Sequence, residues 1–429
     1  MHILRRVSRR QFVKATAAAT LAGPTIITSL ARGNFRAAND RIQLGFIGIG
    51  VMGRGHLGRF LGFDDVQVVA VCDAVDQRRD HAQKMVEDRY ADRKGKGEFS
   101  GCAAFTDPRD LIEKGAVDAV LIATPDHWHA VAAIAAVRAG KDVYCEKPLT
   151  HELAEGQKLV EAVREHGVVF QTGSQQRSEF GGLFRQAVEL VRNDRLGRIH
   201  TVRVGVGGPP VPCDLPAEEV PDGTHWDLWL GPASERPYNE ILCPKGIHNH
   251  FPAWRNYREY GGGGLADMGA HHFDIAQWAL DTDRSGPVKV EPPEGGANSG
   301  LKFTYASGIV MYHGGPSGCT FEGEKGTLYV DRGTIKSDPA EILETPLGDD
   351  AVRVYHSDDH SRNWIECIRS RKGPICDAEI GHRSASICHL ANIGYRLRRP
   401  LNWDSKAERF DDEEANALLS REPRKPWTL

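Results

Sequence analysis

The chain has 429 residues, a formal net charge of −4, 26% charged and 40% hydrophobic residues. These values are ordinary for a soluble globular protein of two or three domains, and the slightly acidic balance excludes a nucleic-acid binder of the usual basic kind. The 9 cysteines form no C-x-x-C pair and are odd in number, so no disulfide framework is expected in a chain of this size.

The N-terminal segment stands apart. Residues 1–31 contain Arg5, Arg6, Arg9, Arg10 and Lys14 and no acidic residue. Ser8-Arg9-Arg10-Gln11-Phe12-Val13-Lys14 resembles a twin-arginine export signal. A mildly apolar, Ala/Thr-rich stretch follows, and Ser29-Leu30-Ala31 offers small residues to a signal peptidase. The expectation is a signal peptide at 1–31, a linker at 32–41, and export by the twin-arginine translocase to the periplasm or another extracytoplasmic compartment. An ordinary basic N-terminal helix is the alternative. Beyond this segment no apolar run reaches the length of a membrane span.

From 42 to 171 strand and helix patterns alternate. Apolar strands are expected at 42–47, 66–72, 119–123, 143–145 and 168–171, and helices at 51–61, 74–90, 108–114, 129–139 and 152–166. Such alternation implies a doubly wound parallel sheet. From 172 to 404 the pattern changes. A helix at 183–192 and a strand at 199–206 lead into a loop holding Pro209, Pro210, Pro212 and Pro216. An aromatic, irregular stretch at 226–260 precedes a helix at 268–280. Short strands at 288–290, 301–305, 308–312, 320–323 and 326–330, separated by Gly and Asp, read as a largely antiparallel sheet. Helices at 361–370 and 379–397 and a charged tail at 405–429 close the chain. The expected fold class is α/β: an N-terminal Rossmann domain plus a C-terminal α+β domain with a large, mainly antiparallel open sheet.

Gly48-Ile49-Gly50-Val51-Met52-Gly53 follows the first strand and opens a helix, the context a dinucleotide-binding turn requires. Glycines there let backbone approach a pyrophosphate, and the helix N-terminus, with Val51 and Met52, supplies amide donors. Asp73 ends the second strand twenty residues after Gly53, where a carboxylate accepts from a ribose 2′-hydroxyl and repels a 2′-phosphate. NAD is therefore favoured over NADP, with Arg78 and Arg79 nearby as the counter-argument; a helix cap is the other reading of Asp73.

Two further blocks follow strand carboxyl ends and so face the cleft of an open α/β sheet. They are Thr124-Pro125-Asp126-His127-Trp128-His129 and Cys145-Glu146-Lys147-Pro148. Lys147 could hydrogen-bond a substrate hydroxyl or be a solvated surface lysine. In Gly261-Gly262-Gly263-Gly264-Leu265-Ala266-Asp267-Met268-Gly269-Ala270-His271-His272, Asp267 and His271 are four apart and share a helix face. A carboxylate beside an imidazole would raise its pKa and orient it as a general base; a helix cap and a packed core histidine are the plain alternatives. The pairs His127/His129 and His248/His250 lack the accompanying spacing of a metal site, and no metal is expected.

Together, Gly48-x-Gly50-x-x-Gly53, Thr124-Pro125, Glu146-Lys147-Pro148 and Asp267-Met268-Gly269-Ala270-His271 resemble the Gfo/Idh/MocA oxidoreductase family over essentially the whole chain beyond the signal. Thr124 to His129 and Trp226-Asp227-Leu228-Trp229-Leu230-Gly231-Pro232 are similar to an exported branch of it. The resemblance implies NAD, held by Gly48, Gly50, Val51, Met52, Gly53, Asp73, Thr124, Pro125, His127, His129, Glu146 and Lys147. It implies hydride transfer to or from a sugar or cyclitol hydroxyl. Lys147 would bond the reacting oxygen, Asp267 would hold a substrate hydroxyl and the base, and His271 would take the proton. It also implies homo-oligomers through the C-terminal sheet. Gln176, Arg177, Trp254, Arg255, Tyr257 and His272 are the expected substrate-binding residues.

Export bears on the chemistry. A dehydrogenase outside the cytoplasm has no obvious NAD pool, so a tightly held cofactor and a redox-neutral or coupled reaction are expected. A second reading is an NAD-dependent glycosidase that oxidises, eliminates and re-reduces, with Tyr257 or His272 as the added acid/base. A third is a non-catalytic NAD- or sugar-binding module.

Overall fold

The computed structural model describes residues 40–429; the signal expected at 1–31 and the linker up to Asn39 lie outside the described residues. Six strands, β1 (Ile42–Ile47), β2 (Val66–Cys72), β3 (Ala103–Phe105), β4 (Ala119–Ile122), β5 (Asp142–Cys145) and β6 (Phe170–Thr172), form one sheet in the order β3-β2-β1-β4-β5-β6. Every pairing in it is parallel. β4 and β5 are buried at every position, as strands covered by helices on both faces must be. The covering helices are α1 (Val51–Phe60), α2 (Asp76–Arg89), α3 (Pro108–Lys114), α4 (Asp126–Arg138) and α5 (Leu153–His166). The strand order reverses between β1 and β4, so their carboxyl ends open on the crevice where such sheets bind ligands.

Two differences from the expected elements matter here. β3 was not anticipated, because three residues of mixed exposure give no readable period. α4 starts at Asp126 rather than 129, directly after Pro125, whose extended backbone caps it. Asp126 thereby sits in the first turn, at the sheet's functional edge.

The second sheet contains β7 (Ile199–Gly205), β8 (Lys289–Glu291), β9 (Lys302–Thr304), β10 (Val310–Gly323), β11 (Gly326–Asp331), β12 (Thr334–Asp338), β13 (Leu401–Asp404) and β14 (Arg409–Phe410). Their order is β12-β11-β10-β9-β8-β13-β14, with β7 also paired to β10, and all pairings are antiparallel. The strands expected at 308–312 and 320–323 are one bulged strand, β10. Its register against β7 shifts between His313 and Ser317, where Gly314 and Gly315 take positive φ. Three long helices pack with this sheet, α6 (Leu183–Arg192), α7 (Gly263–Ala279) and α9 (Ala378–Leu397), whereas α8 (His360–Ser370) buries Trp364 and Ile365 with Phe46 and Phe60 of the parallel half. Leu265, Phe273 and Trp278 of α7 bury themselves with Val202, Phe321 and Leu328 of the sheet and Leu390 of α9. The residues expected as a charged tail are docked: Trp427 is buried edge-on against Trp128 at 4.7 Å.

α7 begins at Gly263, five residues before the expected 268. Gly263 has φ +74°, and a Cβ there would meet Pro210 N at 2.5 Å and Gly208 O at 2.7 Å. The glycine run thus lets the proline-rich loop cross the helix start at backbone distance.

Arg177 corrects an expectation. It was assigned to substrate binding, but it is 1% exposed and grips two carboxylates. Nε and Nη2 donate to Asp274 at 2.7 and 2.8 Å, and Nη2 donates to Asp283 at 2.7 Å. Burial opposes the charge, but Asp274 and Asp283 outweigh it and keep the guanidinium protonated. Arg177 follows β6, and Asp274 lies on α7, so the clamp joins the two halves of the molecule. Removing one member of a buried ionic cluster strands the others, at a cost of roughly 3–5 kcal/mol. Arg177→Ala is expected to lower the unfolding free energy by about that amount, measured by equilibrium denaturation against the parent chain.

Candidate active site

The first cavity is a groove of about 840 Å³ over the carboxyl ends of β1, β2 and β4. Gly48 has φ +88°, and a Cβ on it would lie 2.7 Å from the Ala123 carbonyl; one on Gly53 would lie 2.0 Å from Gly48 O. Both glycines serve close packing of strand and helix. Gly50 differs: nothing lies within 4 Å of its Cβ position, so the space above it is open to a ligand. α1 has no side-chain cap and no acid in its first turn. Its amides and positive dipole end are free for an anion such as a pyrophosphate.

Asp73 lines this groove. It does not cap α2, whose N-cap is Val75. Its Oδ2 accepts from Ile49 N at 2.7 Å and its Oδ1 from Val75 N at 2.8 Å, so it pins the glycine turn to β2. Each oxygen keeps a lone pair for a ribose hydroxyl. Val51, Met52, Thr124 and Pro125 also line the groove, and Thr124 Oγ1 is buried without a partner among the described residues. These features fit a dinucleotide.

A roof formed by residues 242–252 closes the far side of the groove. Arg54 Nη2 donates to His248 O at 2.5 Å and to Asn249 Oδ1 at 3.0 Å. Arg78, which is buried, donates to Gly246 O at 2.8 Å and also to Pro244 O. Arg79 is engaged by Asp76 at 2.6 Å and Thr106 at 2.7 Å.

The second cavity, about 1430 Å³, is walled by Lys147, Asp267 and His271 together with Asp126, Glu146 and Arg332. It shares Met52, Ala123, Thr124, Phe251, Trp254 and Arg255 with the groove, so a ligand in one reaches a ligand in the other. Lys147 follows β5, and its bond to Pro148 is cis. Its Nζ donates to Asp267 Oδ1 at 2.7 Å and to Asp267 O at 2.9 Å. Arg255 Nε lies 3.5 Å from the same carboxylate. Burial alone would raise the Asp267 pKa, but Lys147 and Arg255 outweigh it and hold the carboxyl below its ordinary value.

The expected Asp267–His271 couple does not form. Asp267 is taken by Lys147 and Arg255, and His271 Nδ1 is buried with no partner among the described residues. Burial, then the positive charges of Lys147 and Arg332, push the His271 pKa well down rather than up. The imidazole is neutral, the form in which it accepts a proton.

Several expected contacts are corrected. His127 is fully buried, bonded to Trp229 O at 3.1 Å, and lines neither cavity. His129 is also buried; its ring nitrogens lie 2.7 Å from Pro148 O and 3.0 Å from Thr124 O, so it braces two cleft loops from behind. Tyr257 packs against an aromatic cluster outside both cavities. His272 is fully buried on the sheet side of α7. Gln176 is buried too; its Nε2 lies 3.3 Å from His271 O, and its Oε1 accepts from Arg332. Trp254 and Arg255 do line the cleft.

Three cavity residues escaped the sequence reading. His56 bonds Glu146 Oε1 at 2.7 Å. Arg332 enters from a strand turn, for which local sequence carries no signal. Asp126 sat inside a singled-out block, and a buried acid beside Lys147 could have been suspected. It is 5% exposed, and burial and Asp267 push its pKa up to about 7. Among the described residues no group of three or more His, Cys, Asp or Glu side chains could hold a metal ion.

Asp126 supplies a stability test. Its folded pKa lies above its ordinary value of 3.8, so the folded state holds a proton that the unfolded chain has released. Stability is expected to fall between about pH 4 and about pH 7 and then level off. Asp126→Asn should flatten that fall, leaving the variant more stable than the parent near pH 8 but not near pH 4, as read by denaturant unfolding at both.

Comparison with known proteins gives a consistent picture. The family described as "Oxidoreductase family, NAD-binding Rossmann fold" matches residues 42–174, and "Oxidoreductase family, C-terminal alpha/beta domain" matches 212–429. The chain is 32% identical to a myo-inositol 2-dehydrogenase of Thermotoga maritima over 189 residues, 44% of this chain and 52% of that protein. It is 31% identical to a glycosyl hydrolase family 109 protein of Shewanella pealeana over 122 residues, 28% of this chain and 26% of that one. The chain thus spans about half the length, or less, of these curated relatives. The WlbA dehydrogenase of Bordetella pertussis, solved with NADH and UDP-GlcNAcA, shares the fold with a TM-score of 0.57 at 20% identity, covering 85% of this chain and 99% of that one.

Proposed function

The chain belongs to the Gfo/Idh/MocA oxidoreductase family, with an NAD-binding Rossmann domain, and from that premise we propose that it moves hydride between a sugar or cyclitol carbinol and a tightly held NAD. One observation carries the reading: the Lys147–Asp267 pair and the neutral His271 line the second cavity, which opens on the dinucleotide groove through their shared residues Met52, Thr124 and Trp254. Gly50 and the start of α1 would hold the pyrophosphate, and Asp73 the adenosine ribose. Bound there, NAD would supply a reversible hydride acceptor for the carbinol carbon. His271, which lines the second cavity, takes the hydroxyl proton. Lys147 donates a hydrogen bond to the same oxygen, and Asp267 fixes Lys147 and accepts from a neighbouring hydroxyl.

NAD is preferred to NADP in this reading for two reasons. Asp73 would repel a 2′-phosphate, and Arg78 and Arg79, its nearest possible partners, are spent on the roof and on Asp76 and Thr106. The roof also supports cofactor retention, which an exported enzyme working outside the cytoplasm requires. The export route itself rests on the Arg9-Arg10 signal.

A second reading, oxidation followed by elimination and re-reduction of a glycoside, gains from Asp126. Tyr257 and His272 lie outside the cavity, whereas Asp126 lines it and keeps a proton near neutrality. Product analysis on aryl glycosides separates elimination from simple oxidation.

Two outcomes test the proposal. His271→Ala and Lys147→Ala should each lower kcat by roughly 10²–10⁴, measured as hydride transfer to the bound nicotinamide; unchanged rates would remove their assigned roles, and no hydride transfer by the parent chain would leave a non-catalytic binding module. The purified chain should carry NAD through dialysis, and the double variant Arg54→Ala/Arg78→Ala should lose it, with cofactor content read by absorbance. Loss from the parent chain at the same rate would remove the resident-cofactor idea.

A further inference from the structure

Arg332 occupies the turn between β11 and β12 and reaches the rim of the second cavity. Two contacts fix its direction. Nε donates to Gln176 Oε1 at 3.0 Å, and the guanidinium lies 5.0 Å from the centre of the Phe180 ring. Gln176 is itself buried, and its Nε2 reaches the His271 carbonyl at 3.3 Å, so its amide cannot turn freely. The Arg332 fork is thereby braced, yet its two Nη groups have no hydrogen bond or ion pair among the described residues.

The other cations of the cavity wall are matched. Lys147 pairs with Asp267 at 2.7 Å, Arg255 lies 3.5 Å from the same carboxylate, and Arg59 pairs with Asp359 at 2.8 Å and Glu179 at 3.4 Å. Arg332 is the one cation of that wall without an ion pair among the described residues, Asp331 and Asp267 acting on it only at longer range, and its charge is felt at the candidate base, whose pKa it helps to lower. A planar guanidinium held in one orientation with its outer edge free matches a carboxylate in two parallel hydrogen bonds. A neutral polyol can offer two hydroxyl oxygens to the same edge but brings no counter-charge.

We propose that Arg332 recognises a carboxylate on the substrate, so that the sugar processed at Lys147 and His271 is a sugar acid of the uronate type. The substrate class rests on the oxidoreductase reading; the binding claim does not. The experiment measures affinity and turnover together. Glucuronate and galacturonate, with glucose and galactose as neutral counterparts, are titrated calorimetrically into the cofactor-loaded parent chain and into Arg332→Ala and Arg332→Lys. Hydride transfer is recorded in the same samples. An acid should bind the parent at least about tenfold more tightly than its neutral counterpart, the worth of a charge-assisted hydrogen bond. Arg332→Ala should erase that preference, weakening the acid at least about tenfold more than its neutral counterpart, and Arg332→Lys should keep part of it. Equal binding of acid and neutral sugar, no binding of either acid, or equal weakening of both sugars by Arg332→Ala overturns the proposal. Binding of an acid that depends on Arg332 but yields no hydride transfer upholds the carboxylate site and sinks the oxidoreductase reading instead.

Discussion

The guanidinium of Arg177, gripped by Asp274 and Asp283, fixes where α7 lies relative to the parallel sheet. Asp267 and His271 ride on that helix, whereas Lys147 comes from the end of β5. The 2.7 Å contact between Lys147 and Asp267 therefore spans two folding layers that no continuous strand connects. A buried ion pair is an expensive way to join them, and an apolar contact of the same volume would often be no less stable. What the fork adds is direction: two hydrogen bonds to each of two carboxylates leave little freedom to rotate or slide.

With α7 set, the electrostatics of the second cavity follow from neighbours rather than from residue type. Two aspartates face the same space in opposite states. Asp267, matched by Lys147 and Arg255, stays ionised, while Asp126, buried and beside that negative charge, holds its proton to about pH 7. His271 is driven neutral by burial and by two cations. One anion, one base and one acid are thus obtained from three side chains by arrangement alone, the separation of pKa values that acid–base chemistry at neutral pH needs.

The sequence made the parallel half almost fully readable, because buried strands such as Val66–Cys72 are apolar apart from Gln67 and the glycine turn has a required context. The antiparallel half was harder. β10 looked like two strands because glycines interrupt its period, and β12 to β14 are short or polar. For the site, local spacing brought Lys147, Asp267 and His271 to attention. It misjudged their coupling, since the i, i+4 relation of Asp267 and His271 ignores partners that arrive from distant chain. Arg177, His127, His272 and Tyr257 failed for a related reason: polar and aromatic residues near a cleft also serve as its buried scaffold, and only their tertiary partners decide which. Arg332 was invisible, being brought in by a sheet whose register no local pattern sets.

The roof over the dinucleotide groove is fastened almost wholly through main-chain oxygens. Arg54 reaches the carbonyl of His248, and Arg78 the carbonyls of Gly246 and Pro244. A carbonyl is supplied by every residue, so exposed side chains of this segment such as Lys245, Ile247 and His250 are released from holding it in place, whereas Leu242 and Cys243 are buried in the aromatic cluster beneath it. The roof can therefore drift in sequence, altering the face it shows to ligand and solvent, while its anchorage stays with two arginines on the opposite wall. Diversification of these exposed positions and constancy of the segment's place are compatible for that reason, and a library randomised at Lys245, Ile247 and His250 should tolerate far more change than one that touches Arg54 or Arg78.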